Sequence, residues 1–223
     1  NEGAILKLCS ESFSVEWILQ EKDGAWTPVA EHIVVEDPAQ LPRLRKSKYI
    51  QSRMGDIYPR VQELLQQGRQ VLFTGCPCQG AGLKKVLKKD YANLYLVDLL
   101  CGNSPSQEFF RRYLEETFDR PVTSYTFRAR DPGSWISHTC HASFAGGETQ
   151  EIPRKGDPFQ GAYHPHILMP LHCEKCRFQA IPRFGDLTIG DFWGITAREP
   201  ALSTVSGISA VLVNSPRGEE LLS

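Results

Sequence analysis

The spacing of apolar residues predicts alternating strands and helices through the centre of the chain. Apolar side chains between residues 57 and 65 recur at helical spacing, and Gly68 follows where a helix would end. The next segments are predicted as a strand at 71–74, a helix at 81–89, a buried strand at 94–100 and a helix at 106–118. This order predicts a βαβ unit at about 70–100 with two parallel strands.

Antiparallel strands are predicted on both sides of this unit. Polar and apolar positions alternate early in the chain, and Asp23-Gly24 is typical of a hairpin turn. The predicted strands lie near 14–20, 26–35, 125–128, 136–144, 186–189 and 210–214, with turns at 131–133 and 146–147. The predicted fold class is therefore α/β (mixed α+β), with a central, partly parallel sheet and additional antiparallel strands.

Composition indicates one globular domain of 223 residues. We expect a β-rich amino-terminal part at 1–45, followed by a region at 46–223 that carries the chemistry described below. The formal net charge of -1 gives no electrostatic reason to expect nucleic acid as a partner. The longest apolar runs are far shorter than the roughly 18 residues that a membrane span needs, so no span is predicted. The chain begins at Asn1, which suggests a fragment.

The cysteines carry the strongest chemical signal. There are seven of them, and two pairs are very close in sequence: Cys76 with Cys78, and Cys173 with Cys176. Such spacing in a chain of this length favours metal, cluster or thiol chemistry in a reducing cytoplasm over a disulfide scaffold. We therefore predict a cytoplasmic protein. Cys9 and Cys140 lie in strand-like segments and are predicted to be small buried hydrophobic residues.

The predicted topology brings distant cysteines to one edge of the sheet. A right-handed crossover places the carboxyl ends of both parallel strands at the same edge, with Cys76 and Cys78 after one strand and Cys101 after the other. A four-sulfur site could combine Cys101, one cysteine of the 76–78 loop and the 173–176 pair. Zinc is the competing metal, but a single cysteine joined to a CxxC pair favours an iron–sulfur cluster. The spacing alone does not choose between Cys76 and Cys78.

The segment 47–52 is a candidate for binding a phosphate and stacking an aromatic ring. It contains two hydroxyls, a lysine, a tyrosine and a glutamine within six positions before a predicted helix. The alternative is a polar turn with one buried tyrosine. No Gly-x-Gly-x-x-Gly or Walker motif occurs.

Several motifs, taken in order, resemble the coenzyme F420 hydrogenase/dehydrogenase beta-subunit family. They cover the chain from about residue 47 to its end. They are SKYIQS at 47–52, LFTGCPCQ at 72–79, VDLLC at 97–101, FR at 127–128, CxxCRF at 173–178 and RxxDLTIGDFWG at 183–194. Each motif is weak alone, but the ordered set is specific.

This resemblance implies a flavin- and iron–sulfur-dependent oxidoreductase subunit. Family members bind FAD and a 4Fe-4S cluster, and they pass electrons to or from coenzyme F420, a ferredoxin, or hydrogenase or dehydrogenase subunits. The implied cluster ligands are Cys78, Cys101, Cys173 and Cys176. The implied flavin-pocket residues are Ser47, Lys48, Tyr49, Gln51, Ser52, Thr74, Gly75, Pro77, Gln79 and Asp191.

The chain departs from the family pattern in three places. Cys76 stands where the family usually has threonine, which is why the resemblance assigns Cys78 as the ligand. Gly102-Asn103 follows Cys101, where the family usually has His-Gly. A glycine-rich flavin-contacting segment normally precedes the matched region in the family, as does a ferredoxin-like domain in many bacterial members, and neither is visible here. The resemblance therefore suggests an amino-terminally truncated bacterial member.

Three functional hypotheses follow from the sequence. The leading one is an electron relay between a cluster, FAD and a soluble carrier. The second is a zinc-stabilised, four-cysteine structural or binding module without catalysis. The third is a thiol oxidoreductase that uses Cys76 and Cys78.

Overall fold

The computed structural model describes residues 11–22, 25–130, 137–202 and 207–223. Its strands are β1 (Glu11–Lys22), β2 (Ala25–Val35), β3 (Val71–Gly75), β4 (Leu94–Leu99), β5 (Val122–Arg130), β6 (His138–Phe144), β7 (Thr149–Pro153), β8 (Leu187–Asp191) and β9 (Ser209–Val213). Its α-helices are α1 (Ile57–Gln66), α2 (Pro77–Leu87), α3 (Gln107–Thr117), α4 (Pro158–Tyr163), α5 (Leu171–Glu174), α6 (Ile195–Arg198) and α7 (Pro216–Leu222). Short 3-10 helices cover Pro38–Leu44 and Pro200–Leu202. None of these described helices combines the length and apolar character needed to cross a membrane.

The larger sheet confirms the predicted mixed α/β fold. Its strand order within the described chain is β2-β1-β3-β4-β8-β9. Strands β3 and β4 are parallel neighbours joined by α2, as the βαβ prediction requires, and Gly75 pairs with Asp98 at their carboxyl ends. The β1–β2 hairpin is antiparallel, and β1 joins the sheet beside β3 in parallel. The predicted turns at 23–24 and 131–133, and Cys9, lie outside the described residues.

The second sheet is an antiparallel meander in the order β5-β6-β7. Alternate residues of β6 are buried, which is the period expected of a strand with one face on a core. Gly147 adopts a φ of +81° at the β6–β7 turn, where glycine has no steric penalty. Cys140 is completely buried in β6, so the prediction of a small core residue is confirmed there.

The largest core cluster lies between this second sheet and helix α3. Phe110 of α3 contacts Tyr125 and Phe127 of β5, with ring centroids 5.2 Å and 5.0 Å apart. Phe159 of α4 completes the aromatic group, 5.2 Å from Phe110. Burial of several aromatic side chains in one cluster supplies a large hydrophobic contribution to stability. The core therefore holds α4 against α3 and β5.

The helix after β3 begins earlier than the sequence predicts. The pattern predicts a helix over 81–89, but α2 runs from Pro77 to Leu87. Pro77 occupies the first helical turn, where its missing N–H costs nothing, and the Gln79 side chain accepts a hydrogen bond from the Cys76 N–H at 2.9 Å. Cys78 is consequently a residue of the first helical turn and not of a loop.

Candidate functional site

Five cysteines from three separate segments line one pocket at the carboxyl ends of β3 and β4. They are Cys76, Cys78, Cys101, Cys173 and Cys176. The first two flank the start of α2, Cys101 follows β4, and the last two lie in and just after α5. The structure thus brings together all four cysteines that the sequence assigned to a metal centre, together with the fifth that it left as an alternative.

A buried ion pair connects the segments that carry these cysteines. Arg183 Nη2 lies 3.1 Å from Asp98 Oδ1, and the same guanidinium donates to the Leu99 carbonyl at 2.9 Å and to the Phe178 carbonyl at 3.2 Å. Leu99 and Phe178 lie within two residues of Cys101 and Cys176, respectively. Arg183 therefore holds the end of β4 against the chain that follows α5.

The thiols differ in their pKa values because of their positions in the pocket. A hydrogen bond to Cys101, together with burial, raises the pKa of the Cys76 thiol. The same hydrogen bond and the charge of Arg183 lower the pKa of Cys101. Burial raises the pKa of Cys78 and Cys173, and neighbouring cysteine sulfurs add to the effect in both. Within the Cys76–Cys101 pair, the thiolate therefore forms on Cys101, beside the guanidinium.

A chain of buried hydrogen bonds supports the start of α2. His32 Nε2 lies 3.0 Å from the Thr74 carbonyl, which can only accept, so Nε2 carries the proton. His32 Nδ1 then accepts from the Ser52 hydroxyl at 2.9 Å, and Ser52 Oγ accepts from Gln79 Nε2 at 2.8 Å. Gln79 Oε1 closes the chain on the Cys76 N–H. Burial lowers the pKa of His32 to about 4, so the imidazole is neutral in this chain of bonds.

The ten residues predicted for a flavin pocket lie in several places. Gln51, Pro77 and Gln79 line the cysteine pocket. Ser52, Thr74, Gly75 and Gln79 surround His32, and a Cβ on Gly75 would lie 2.9 Å from Gln79 Oε1. The side chains of Ser52 and Gln79 therefore hydrogen-bond to each other, and Gln79 also accepts from the Cys76 N–H at the start of α2.

Of the remaining predicted flavin residues, Asp191 and Tyr49 lie beside a second arginine, Arg128, whereas Lys48 is partly buried elsewhere. Asp191 forms a 2.6 Å ion pair with Arg128, and burial raises the pKa of Tyr49, whose ring stacks on Tyr163 at 4.7 Å. Lys48 Nζ donates to the Arg45 carbonyl at 2.9 Å, and burial lowers the pKa of this lysine to about 8. Ser47 is exposed.

The pocket offers the type of donors that an iron–sulfur cluster binds. No three Cys, His, Asp or Glu side chains in the described parts of the chain form a ready-made site for one ion. Each protein thiolate of a cluster binds a different iron atom. The cysteine sulfurs therefore lie around the cluster and do not all converge on one metal ion. The described pocket lining contains five thiols and no carboxylate. Asn103 Oδ1 is buried beside them with no hydrogen-bond partner in the described structure, so it is available to a bound group.

Sequence reasoning missed three residues of this site. His32 comes from β2, and nothing in the alternation of that strand indicates that its imidazole reaches the β3–α2 junction. Arg183 begins the RxxDLTIGDFWG motif, but only the fold reveals its contact with Asp98. Asn103 departs from the family pattern, and its place in the pocket follows from its position two residues after Cys101.

Comparisons with known proteins agree with these observations. Residues 68–223 match the model of a family described as the carboxyl terminus of the beta subunit of coenzyme F420 hydrogenase/dehydrogenase. Among solved structures, a chain of the F420-reducing NiFe hydrogenase complex from Methanosarcina barkeri superposes with a TM-score of 0.55 and 16% identity. The superposition covers 99% of this chain and 68% of that chain. No curated protein sequence matches the chain.

Proposed function

Because the chain belongs to the coenzyme F420 hydrogenase/dehydrogenase beta-subunit family, we propose that it relays electrons between an iron–sulfur cluster, FAD and a soluble carrier. The observation that carries this proposal is the convergence of cysteines from three segments on one pocket without a carboxylate in its described lining. Thiolates are the usual protein ligands of iron–sulfur clusters. Membership of the family supports the class of reaction, that of an oxidoreductase subunit.

In this proposal, Cys78, Cys101, Cys173 and Cys176 hold a 4Fe-4S cluster. Cys78 lies in the first turn of α2, where burial and the neighbouring sulfurs raise the pKa of its thiol and a backbone hydrogen bond from Gln79 partly offsets that rise. The Arg183 guanidinium favours the thiolate of Cys101. The Cys173–Cys176 turn is held by a backbone hydrogen bond of 3.2 Å from the Cys176 N–H to the Cys173 carbonyl.

The bound cofactors would supply one-electron transfer at the cluster and hydride chemistry at the flavin. The residues of the chain would hold and tune them. Arg183 places positive charge beside the thiolates, and the His32–Ser52–Gln79 hydrogen bonds fix the backbone at Cys76. Asn103 offers an unpaired buried acceptor, which suits an N–H group of a ligand.

The carrier and the partner proteins belong to the same proposal. A ferredoxin, coenzyme F420, or a hydrogenase or dehydrogenase subunit would exchange electrons with this chain. The solved structure to which the chain is similar is part of a multi-subunit hydrogenase complex, which supports a role beside other subunits. We also propose a cytoplasmic location, because reduced thiols persist there.

Anaerobic reconstitution of the chain with iron, sulfide and FAD tests the proposed function. We expect bound iron and acid-labile sulfide in equal amounts, a visible absorption spectrum of a cluster, and bound flavin. Tightly bound zinc without sulfide or flavin would instead support the zinc-stabilised module. A colourless, metal-free protein whose activity requires Cys76 and Cys78 would support the thiol oxidoreductase.

Cysteine variants make this test specific to the pocket. Cys101→Ala and Cys173→Ala should each lose most of the iron and sulfide. Cys140→Ala is the matched control, because Cys140 lies in β6, where its thiol donates to the Phe127 carbonyl at 3.3 Å. This variant should retain the cluster. Equal loss of iron in all three variants would argue against a site at the cysteine pocket.

A further inference from the structure

A large basic cavity lies next to the second sheet, apart from the lining of the cysteine pocket. Its volume is about 730 Å³, which is within the range of small-molecule binding sites. Strands β6 and β7 form part of its wall through Thr139 and Pro153, and α4 contributes Gln160. Arg154 and Lys155 follow β7 at its edge.

The cavity is positively charged and has no acidic group in its described lining to balance it. That lining contains Arg154, Lys155, His138 and His164 but no Asp or Glu. Neither the Arg154 nor the Lys155 side chain forms an ion pair within the described parts of the chain. Burial lowers the pKa of His164, and the charges of Arg154 and His138 lower it further, which agrees with a concentration of positive charge. An anion entering the cavity would meet cations that no carboxylate of this lining already neutralises.

Tyr163 lies between the cavity and the cysteine pocket in the chain's packing, because it adjoins residues of both linings. Tyr163 directly precedes His164 of the cavity wall, and its ring stacks on Tyr49. Burial raises the pKa of Tyr163, and the nearby groups Tyr49, Cys101 and Cys76 raise it further. Asn103 of the cysteine pocket donates a hydrogen bond to the Tyr163 carbonyl at 3.5 Å, which places Tyr163 beside that pocket.

We propose that this cavity binds an organic ligand that carries a diphosphate. The Arg154 guanidinium offers a planar fork for phosphate oxygens, and the Lys155 ammonium offers a second positive charge one residue away. The cavity is large enough for an organic body as well as the phosphates. The segment 47–52 was a candidate phosphate site from sequence, with a polar turn as the alternative, and the structure shows Lys48 Nζ donating to the Leu44 and Arg45 carbonyls.

The ligand could be the FAD of the proposed function or a separate nucleotide, since both carry a diphosphate. The diphosphate site itself does not depend on a cluster, and only its assignment to FAD rests on the proposed function. The two sources are separated by experiment. ADP serves as a probe for the diphosphate, adenosine as the same probe without phosphate, and FAD as the cofactor.

Calorimetric titration of the whole chain tests the proposal. ADP should bind saturably, and adenosine should bind at least about tenfold more weakly because it lacks the charged contacts. ADP binding should weaken at high salt, as expected of partly exposed charges. The double variant Arg154→Gln/Lys155→Gln should also weaken ADP binding at least about tenfold. The control is Lys85→Gln/Arg112→Gln, which removes the same charge from α2 and α3 and should bind ADP like the unchanged protein.

Circular dichroism identifies variants that fail to fold. If ADP competes with FAD and the Arg154/Lys155 variant loses both, the cavity holds the cofactor's diphosphate. If ADP binds without displacing FAD, the cavity takes a second nucleotide. No saturable ADP binding, or equal binding by a folded Arg154/Lys155 variant, would overturn the proposal. Iron and sulfide content measures the cluster separately, so failure of one proposal leaves the other measurable.

Discussion

Arg183 forms its ion pair with Asp98 almost entirely out of contact with solvent: the arginine side chain is 6% exposed and the aspartate 0%. The carboxylate is satisfied on both oxygens, since Thr188 Oγ1 donates to Oδ1 at 2.6 Å and the Gly185 N–H donates to Oδ2 at 3.0 Å. A buried pair with this many hydrogen bonds is costly to break from one side, because the remaining charge is stranded.

Replacing Arg183 with methionine should therefore destabilise the protein by about 3–5 kcal/mol, measured by urea unfolding. The stranded Asp98 carboxylate is the physical reason. Arg112→Met is the control, since Arg112 is 69% exposed in its pair with Glu108 and such pairs contribute little. If both variants unfold at the same urea concentration as the unchanged protein, Arg183 does not hold the two segments together.

His32 predicts a specific loss of stability in acid. Its pKa is about 4 in the folded protein against an ordinary value of 6.5, so the unfolded chain takes up a proton first as the pH falls. The stability from the neutral imidazole is complete above pH 6.5 and is lost as the pH falls from 6.5 to 4. The loss should total about 3 kcal/mol.

Unfolding of the unchanged protein and of His32→Gln at several pH values measures this contribution. The variant should lack the His32 part of the acid dependence, whereas His141→Gln, on β6, should keep it. Parallel pH curves for the unchanged protein and His32→Gln would show that the imidazole is not the group responsible.

Any side chain at position 185 is predicted to destabilise the folded protein. A Cβ there would lie 2.6 Å from the Leu187 carbonyl oxygen, 2.9 Å from the Asp98 nitrogen and 3.0 Å from the Leu96 carbonyl oxygen. Backbone atoms cannot move aside cheaply, so Gly185→Ala should lower the melting temperature and cost about 1–3 kcal/mol or more. Gly146→Ala is the control, because nothing lies within 4 Å of a Cβ at that position. Equal stability of the two variants would contradict this account.

The βαβ unit and the meeting of the cysteines were predictable because both depend on short-range patterns and one topological rule. The apolar runs of β3 and β4 identify the strands, and right-handed crossover places Cys76 and Cys101 at one edge. The start of α2 was missed because its N-cap is a cysteine, Cys76, with Gln79 completing the capping box, in a segment whose glycines and proline are typical of a loop.

The supporting contacts were not predictable because they join residues that are distant in sequence and ordinary in type. His32 reaches Thr74 across 42 positions, and Arg183 reaches Asp98 across 85. A histidine in an alternating strand has the same local pattern whether it faces solvent or a buried serine. The placement of the β1–β2 hairpin beside β3 brings this imidazole to the junction of β3 and α2.

Cys78, and not Cys76, is predicted to be the cluster ligand at the start of α2. Cys78 is exposed in the first turn of the helix, whereas Cys76 is less exposed and shares a hydrogen bond with Cys101. Cys76 donates that hydrogen bond and keeps its proton while the thiolate forms on Cys101, so the Cys76 sulfur is already engaged, whereas Cys78 is exposed. We therefore expect Cys78→Ala to lose most of the iron and sulfide after anaerobic reconstitution, and Cys76→Thr to keep them. Threonine suits position 76 as a control, because a hydroxyl there can still donate to the Cys101 sulfur. The opposite result, with iron lost from Cys76→Thr and kept in Cys78→Ala, would assign the ligand to Cys76 and place Cys78 outside the cluster.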